Sequence, residues 1–346
     1  MPALAFLLYD NRSGSTLLSA LLSEHAGVAV SHETDLVAAV LEAPGPREVQ
    51  GAALADYLYA STRFGELGLD RGAVAQALGA HGATLTRQAA LRTLVRHYFE
   101  AQAPAAEAWV VKGPRLHYHL RALAAAFPEA ALLHLVRDGR AVFRSKRATP
   151  SGHALRTGAR EVMDDDLVRA AHNWQRKIAL VDAFDGLAVH AVRYEDLLCA
   201  PEAELGRLLD AAGVSDAGRT RSATRAEFVQ AQVGGTYHGI HASVAGDLDP
   251  AKAARWRTDL APDEIALYEA LAGDALARYG YERTATVPGS WAGRVRQRVR
   301  LLGLRVRRER SRWAAAAKAV RRGEAGRVLR GKAFEWKARR VGPEAS

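Results

Sequence analysis

A single cysteine, Cys199, among 346 residues leaves the chain with no intrachain disulfide and no cysteine metal cluster. That scarcity suits a reducing cytoplasm, the compartment expected here. No stretch approaches 18 consecutive apolar residues, so the sequence offers no membrane-spanning helix. Met-Pro-Ala leads into the apolar run Leu4–Tyr9 with no basic flank, and that run is too short for a signal peptide. It reads as a strand. No internal repeat is present.

Acidic residues are scarce in one place. Residues 290–346 hold 18 Lys/Arg against 4 Asp/Glu, a net charge of +14, whereas the whole chain carries +10. The remainder is therefore slightly acidic, and the basic character belongs to a tail. Within it, Trp291 to Arg310 carries Val295, Val299, Leu302 and Val306 at helical spacing among arginines, followed by Trp313, Phe334 and Trp336. An Arg-rich amphipathic helix with aromatic anchors suits an anionic membrane surface, contacted through residues 291–340. Helix packing on the body, or a solvated tail, is the plainer alternative. The tail shows no base-reading motif, so no specific nucleic acid is expected.

About half of the residues are apolar, 49%, enough for a buried core. Short apolar runs predict strands at Ala3–Tyr9, Ala108–Val111, Ala131–Val136 and Ala188–Val192. Between them, i, i+3, i+4 spacing predicts helices at Ser15–Leu22, Leu116–Phe127 and Asp166–Phe184. Buried strands alternating with helices imply an α/β fold with a central parallel sheet covered on both faces. Ligands in such sheets lie beyond the carboxyl ends of the strands. Residues 44–107, entered through Pro44-Gly45-Pro46, show no strand pattern and read as a helical insertion, a candidate acceptor lid. The chain thus divides into a body over 1–286 and the Arg-rich tail over 287–346.

Leu4–Tyr9, then Asp10-Asn11-Arg12-Ser13-Gly14-Ser15-Thr16, then an apolar helix is a strand, turn and helix that can cradle a phosphate. Helix-start N–H groups and dipole favour an anion, and Arg12, Ser13, Ser15 and Thr16 add donors. A Ser/Thr cap on an ordinary helix is the alternative. A triphosphate-binding P-loop would place lysine where Ser15 stands and glycine where Tyr9 stands, so a nucleotide kinase is only the runner-up. A second strand-turn-helix, Leu132–Val136 into Arg137-Asp138-Gly139-Arg140-Ala141-Val142-x-x-Ser145, sets Arg137 and Ser145 eight residues apart. Both can reach one phosphate, or Arg137 and Asp138 can form a local ion pair.

Asn11–Leu18 together with Val136–Ser145 resembles the sulfotransferase superfamily, nearer to its carbohydrate and protein-tyrosine members. The resemblance implies a P-loop-like three-layer fold over about residues 4–282. It also implies 3′-phosphoadenosine 5′-phosphosulfate (PAPS) as donor, PAP as product, and no metal. Arg12, Ser13, Gly14, Ser15 and Thr16 match the 5′-phosphosulfate loop, and Arg137 and Ser145 the 3′-phosphate segment. Arg193-Tyr194-Glu195-Asp196-Leu197 is similar to the family segment whose tyrosine meets adenine. Arg255-Trp256 resembles the basic-aromatic segment that covers the nucleotide. The implied activity is an O-sulfotransferase acting on a hydroxyl of a carbohydrate, glycolipid or other metabolite. A catalytically silent nucleotide-binding module anchored by its tail is a further alternative.

Sulfonyl transfer needs a base for the acceptor hydroxyl and cations for the departing oxygen. Glu33, 21 residues after Arg12, is the candidate base by its similarity to a family Glu-Thr pair, with His32 as runner-up. Lys112, ending a strand before Gly113-Pro114, and Arg12 are the candidate charge stabilisers. Asp164-Asp165-Asp166 reads as a helix start and not a cation site. His117-x-His119 and His238-x-x-His241 lack a third ligand. Trp174 reads as core. Acceptor identity and oligomeric state stay open.

Overall fold

The computed structural model describes residues 2–284 except 47, 152, 153, 155–160, 216, 217, 222, 233–243, 245 and 247. The tail over 287–346, and His238 and His241, lie outside the described residues. The described residues up to Arg283 form one compact unit.

The body opens with β1 (Ala3–Tyr9), α1 (Ser15–Ser23), β2 (Val28–Val30) and α2 (Leu36–Leu41). An excursion follows: β3 (Glu48–Val49), α3 (Gly51–Ser61), α4 (Arg71–Gly79), β4 (Leu85–Thr86) and α5 (Arg87–Gln102). The chain returns to the sheet with β5 (Ala108–Gly113), α6 (Leu120–Ala126), β6 (Ala131–Val136), α7 (Gly139–Ala148), α8 (Leu167–Asp182) and β7 (Val189–Arg193). Next come α9 (Tyr194–Cys199), α10 (Pro201–Ala211) and α11 (Arg225–Gln232). Two one-turn helices, α12 (Ala251–Ala254) and α13 (Trp256–Asp259), precede α14 (Pro262–Arg278).

Five strands form one parallel sheet in the order β2-β5-β1-β6-β7. Side chains alternate across a strand, and β1 shows it: Leu4, Phe6 and Leu8 enter one core, Ala5, Leu7 and Tyr9 the other. Covering both faces is what makes the strands continuous apolar runs. The excursion joins the first core through Leu54, Leu58, Leu78, Leu91 and Leu94.

The observed sheet corrects the reading in three places. β2 was not anticipated, because three residues carry too little pattern. Residues 44–107 are not wholly helical: Glu48–Val49 and Leu85–Thr86 form a two-residue antiparallel ladder. The helix expected over Leu116–Phe127 is split at His119 into a 3₁₀ turn, Leu116–Tyr118, and α6.

Because all five strands run the same way, their carboxyl ends lie along one edge. Tyr9, Val30, Gly113, Val136 and Arg193 end β1, β2, β5, β6 and β7 there. Every candidate segment except Arg255-Trp256, which lies at the junction of α12 and α13, leaves or ends the sheet at this edge.

Candidate active site

The turn between β1 and α1 has an unusual backbone. Arg12 and Gly14 both have positive φ, 71° and 93°, and Arg12 is the one non-glycine residue in that region among the described residues. Such a conformation costs a bulky residue energy and persists only where the surroundings fix it. Gly14 is the N-cap of α1, so no side chain caps the helix, and no acidic residue occupies the first turn. The helix start is left with donors that suit an anion.

Arg12 Nε donates to Ser145 Oγ at 3.1 Å, and Arg137 Nη1 donates to the Arg12 carbonyl at 3.0 Å. The Arg137 guanidinium lies over the Tyr194 ring, 4.4 Å from its centre. That ring packs on Gly14, where a Cβ would fall 2.3 Å from it. Glycine is therefore required both for its conformation and for the close approach of the tyrosine. Arg12, Gly14, Arg137, Ser145 and Tyr194, spread over more than 180 residues of sequence, thus form one cluster. Ser13, Ser15 and Thr16 are buried beside it.

Glu33 accepts a hydrogen bond from the Tyr9 hydroxyl at 2.7 Å. Lys112 is buried, its backbone N–H bonded to Ser31 Oγ at 3.1 Å and its ammonium 5.5 Å from the centre of the Phe228 ring. Desolvation pulls the Lys112 pKa below its usual value, partly opposed by the charge of Glu33. Arg12 is likewise lowered, by burial and then by Arg137, with Glu33 opposing. Arg12 and Lys112 thus share Glu33 as a neighbouring carboxylate, and Arg137 adds a further positive charge beside Arg12. A ligand anion would relieve that surplus.

His32 donates its backbone N–H to the Tyr98 hydroxyl at 3.2 Å, and its side chain is half-buried. Arg255 and Trp256 are placed differently from the loop cluster. Trp256 is buried with the Arg140 guanidinium 3.8 Å from its ring centre, and Arg255 is exposed. Trp256 walls a cleft of about 290 Å³ with Asp138, Arg140, Glu195 and Tyr281.

The other singled-out residues have structural partners. Asp166 caps α8 by accepting from the Arg169 N–H, and Asp164 pairs with Arg169. Among the described residues no group of three His, Cys, Asp or Glu side chains could hold a metal. His117 is buried against His134, with ring centres 5.6 Å apart. Trp174 is core and also donates Nε1–H to the Arg137 carbonyl at 3.1 Å, helping fix the second turn.

Several site residues escaped sequence reasoning. Tyr9 read only as a strand end. Arg140 is buried between Asp138 and Glu269. Glu195 accepts from the Asp138 N–H at 3.1 Å and the Tyr281 hydroxyl at 2.8 Å. The one available signal was the density of charge in segments otherwise built for burial.

The profile of the sulfotransferase family matches residues 6–217, which span both clustered segments and more than half of the chain. The chain belongs to the sulfotransferase family. Omega-hydroxy-beta-dihydromenaquinone-9 sulfotransferase Stf3 of Mycobacterium bovis, and its counterpart in Mycobacterium tuberculosis, are each 28% identical over 130 residues. That match covers 36% of this sulfotransferase and 34% of theirs, so it spans about a third of the length of these curated relatives. Among solved structures, the sulfotransferase domain of the Synechococcus PCC 7002 olefin synthase is 24% identical. It covers 78% of this sulfotransferase and 95% of that domain at a TM-score of 0.50, a likeness of fold.

Proposed function

We propose that this sulfotransferase moves the sulfonyl group of PAPS to a hydroxyl of a carbohydrate, glycolipid or other metabolite by in-line displacement. The observation that carries this reading is the meeting of two phosphate-binding turns through the Arg12–Ser145 bond. The Arg137 Nε beside them is buried without a partner, as expected of a group that awaits an acceptor. The donor supplies an electrophilic sulfonyl group and a phosphate leaving group. Arg12, Ser13, Ser15, Thr16 and the uncapped start of α1 would hold its 5′ end. Arg137 and Ser145 would hold the 3′-phosphate, and Tyr194 would face the base. Arg255 and Trp256 would close over the nucleotide from the side of α7.

Glu33 would take the proton of the acceptor hydroxyl, oriented by Tyr9, with His32 as the alternative base. Lys112 and Arg12 would stabilise charge on the departing phosphate oxygen. The relatives named for omega-hydroxy-beta-dihydromenaquinone-9 put hydroxylated lipids among the acceptors to be tried.

Isothermal titration tests the donor. PAP is expected to bind more tightly than ADP or ATP, and Arg137→Ala to erase the advantage of the 3′-phosphate while 5′-only nucleotides still bind. A preference for ATP would overturn the reading and favour a kinase.

No described helix is long and apolar enough to cross a membrane. Surface contact through residues 291–340 is part of the proposal and rests on their sequence. With vesicles rich in phosphatidylglycerol, the full chain should co-sediment and a 1–286 truncation should not. The difference should shrink in high salt. Equal pelleting of the two would remove the idea.

A further inference from the structure

Directly before the loop, the chain buries a charge that the proposed chemistry does not use. Asp10 is 7% exposed. Its Oδ2 accepts from Lys146 Nζ at 2.6 Å and its Oδ1 from Lys177 Nζ at 2.7 Å. Desolvation pushes this carboxyl up, but the two ammonium groups more than offset it and hold it below the usual carboxylate range. Both lysines are themselves buried.

A buried ion pair is weak evidence for stability, since desolvation consumes most of the Coulomb gain. Its position says more. Lys146 follows Ser145, the residue that receives Arg12. Lys177 also donates to the Pro114 carbonyl at 3.1 Å, two residues past Lys112. Lys177 lies on α8, whose Trp174 is bonded to the Arg137 carbonyl. The Asp10 carbonyl accepts the Ser13 N–H at 3.1 Å, closing the loop itself. One carboxylate thereby joins the first turn, the helix of the second turn, and the strand end that bears Lys112.

We infer that Asp10 is a positioning residue, which sets the spacing between the two phosphate-binding turns so that they act on one ligand as a single bivalent site. This rests on the two-phosphate reading above. A bivalent site gains affinity only while its spacing matches the ligand, so altered spacing should cost the doubly phosphorylated ligand far more than a singly phosphorylated one.

The probes are PAP and adenosine 5′-monophosphate, and the readout is the ratio of their dissociation constants in full-length protein shown to be folded by circular dichroism. Asp10→Asn removes a negative charge beside an anion site, so Coulomb attraction alone would tighten PAP. Positioning predicts the opposite: the preference for PAP falls about 10- to 100-fold, while adenosine monophosphate changes by less than about threefold. Asp10→Asn with Lys177→Met leaves the local net charge unchanged and one lysine fewer to satisfy. It should show the same loss, and it serves if the single variant folds poorly. A preference for PAP over adenosine monophosphate equal to or above that of wild type in either folded variant overturns the role of Asp10. A wild-type protein that shows no preference for PAP overturns the two-phosphate reading and the inference with it.

Discussion

Glu33→Gln is expected to lower the turnover number for sulfonyl transfer by about 10²–10⁴-fold and to leave PAP affinity within a few fold of wild type. The magnitude is that of a positioned general base, and the separation of effects follows from geometry. Glu33 is bonded to Tyr9 beside Lys112, whereas the two turns proposed to bind phosphate meet through Arg12, Ser145 and Arg137. Removing a base should therefore not disturb the anchoring of the nucleotide. Tyr9→Phe deletes the hydrogen bond from Tyr9 to Glu33 and should give a smaller loss in the same direction. His32→Ala is the control for the competing assignment. The measurement is transfer of labelled sulfonyl from PAPS to hydroxyl acceptors in metabolite and lipid extracts, alongside titration with PAP. A Glu33→Gln protein with wild-type turnover would eliminate Glu33 as the base. A collapse confined to His32→Ala would move the role there.

Stability should fall as the pH is lowered from about 6.5 to about 4, independently of catalysis. The reason is a pair of buried imidazoles. Burial pushes His134 down to about 4, with Asp182 opposing. His117 is held well below the ordinary histidine value by burial, Lys177 and His134, with Asp10 opposing. In the unfolded chain both titrate near 6.5. Between these values the unfolded state binds protons that the folded state refuses, so acid favours unfolding. For His134 alone the full window amounts to about 3 kcal/mol. Asp10 adds a further loss at lower pH, because its folded carboxyl is depressed and its stabilisation disappears as the pH falls below the unfolded Asp value of about 3.9. Urea midpoints at pH 7 and pH 5 measure the effect. His134→Leu should narrow the gap between them, and an unchanged gap would refute the assignment to this imidazole.

The sheet was legible where burial forces a continuous apolar run. Ala3–Tyr9 and Ala131–Val136 match their strands residue for residue, since parallel strands covered on both faces admit little else. Val28–Val30 and the Glu48–Val49 ladder went unseen because two or three residues carry no period. In the site, Arg12, Arg137, Ser145 and Tyr194 could be read from short spacings and from resemblance. Their meeting could not, because it depends on the order of the strands. Asp10 looked like part of a polar turn: its partners lie 136 and 167 residues away, beyond the reach of any local pattern. Tyr9 was hidden by being a good strand residue as well as a hydrogen-bond donor. Trp256 was read as a nucleotide cover from its basic-aromatic segment, and its contact with Arg140, more than 110 residues away in sequence, had no local signal.

The central place of β1 has a consequence for biosynthesis. Its neighbours in the sheet are β5 and β6, and Ala3 lies opposite Ala108. Translation proceeds at about 5–20 residues per second, so Leu4–Tyr9 waits roughly 5–20 s for its first strand partner to be made. Throughout that interval the nascent chain displays an unpaired apolar strand, a substrate for chaperones and for aggregation alike. The loop over residues 11–16 is translated before the segments it meets, and it takes its shape only once Ser145 and Tyr194 have followed.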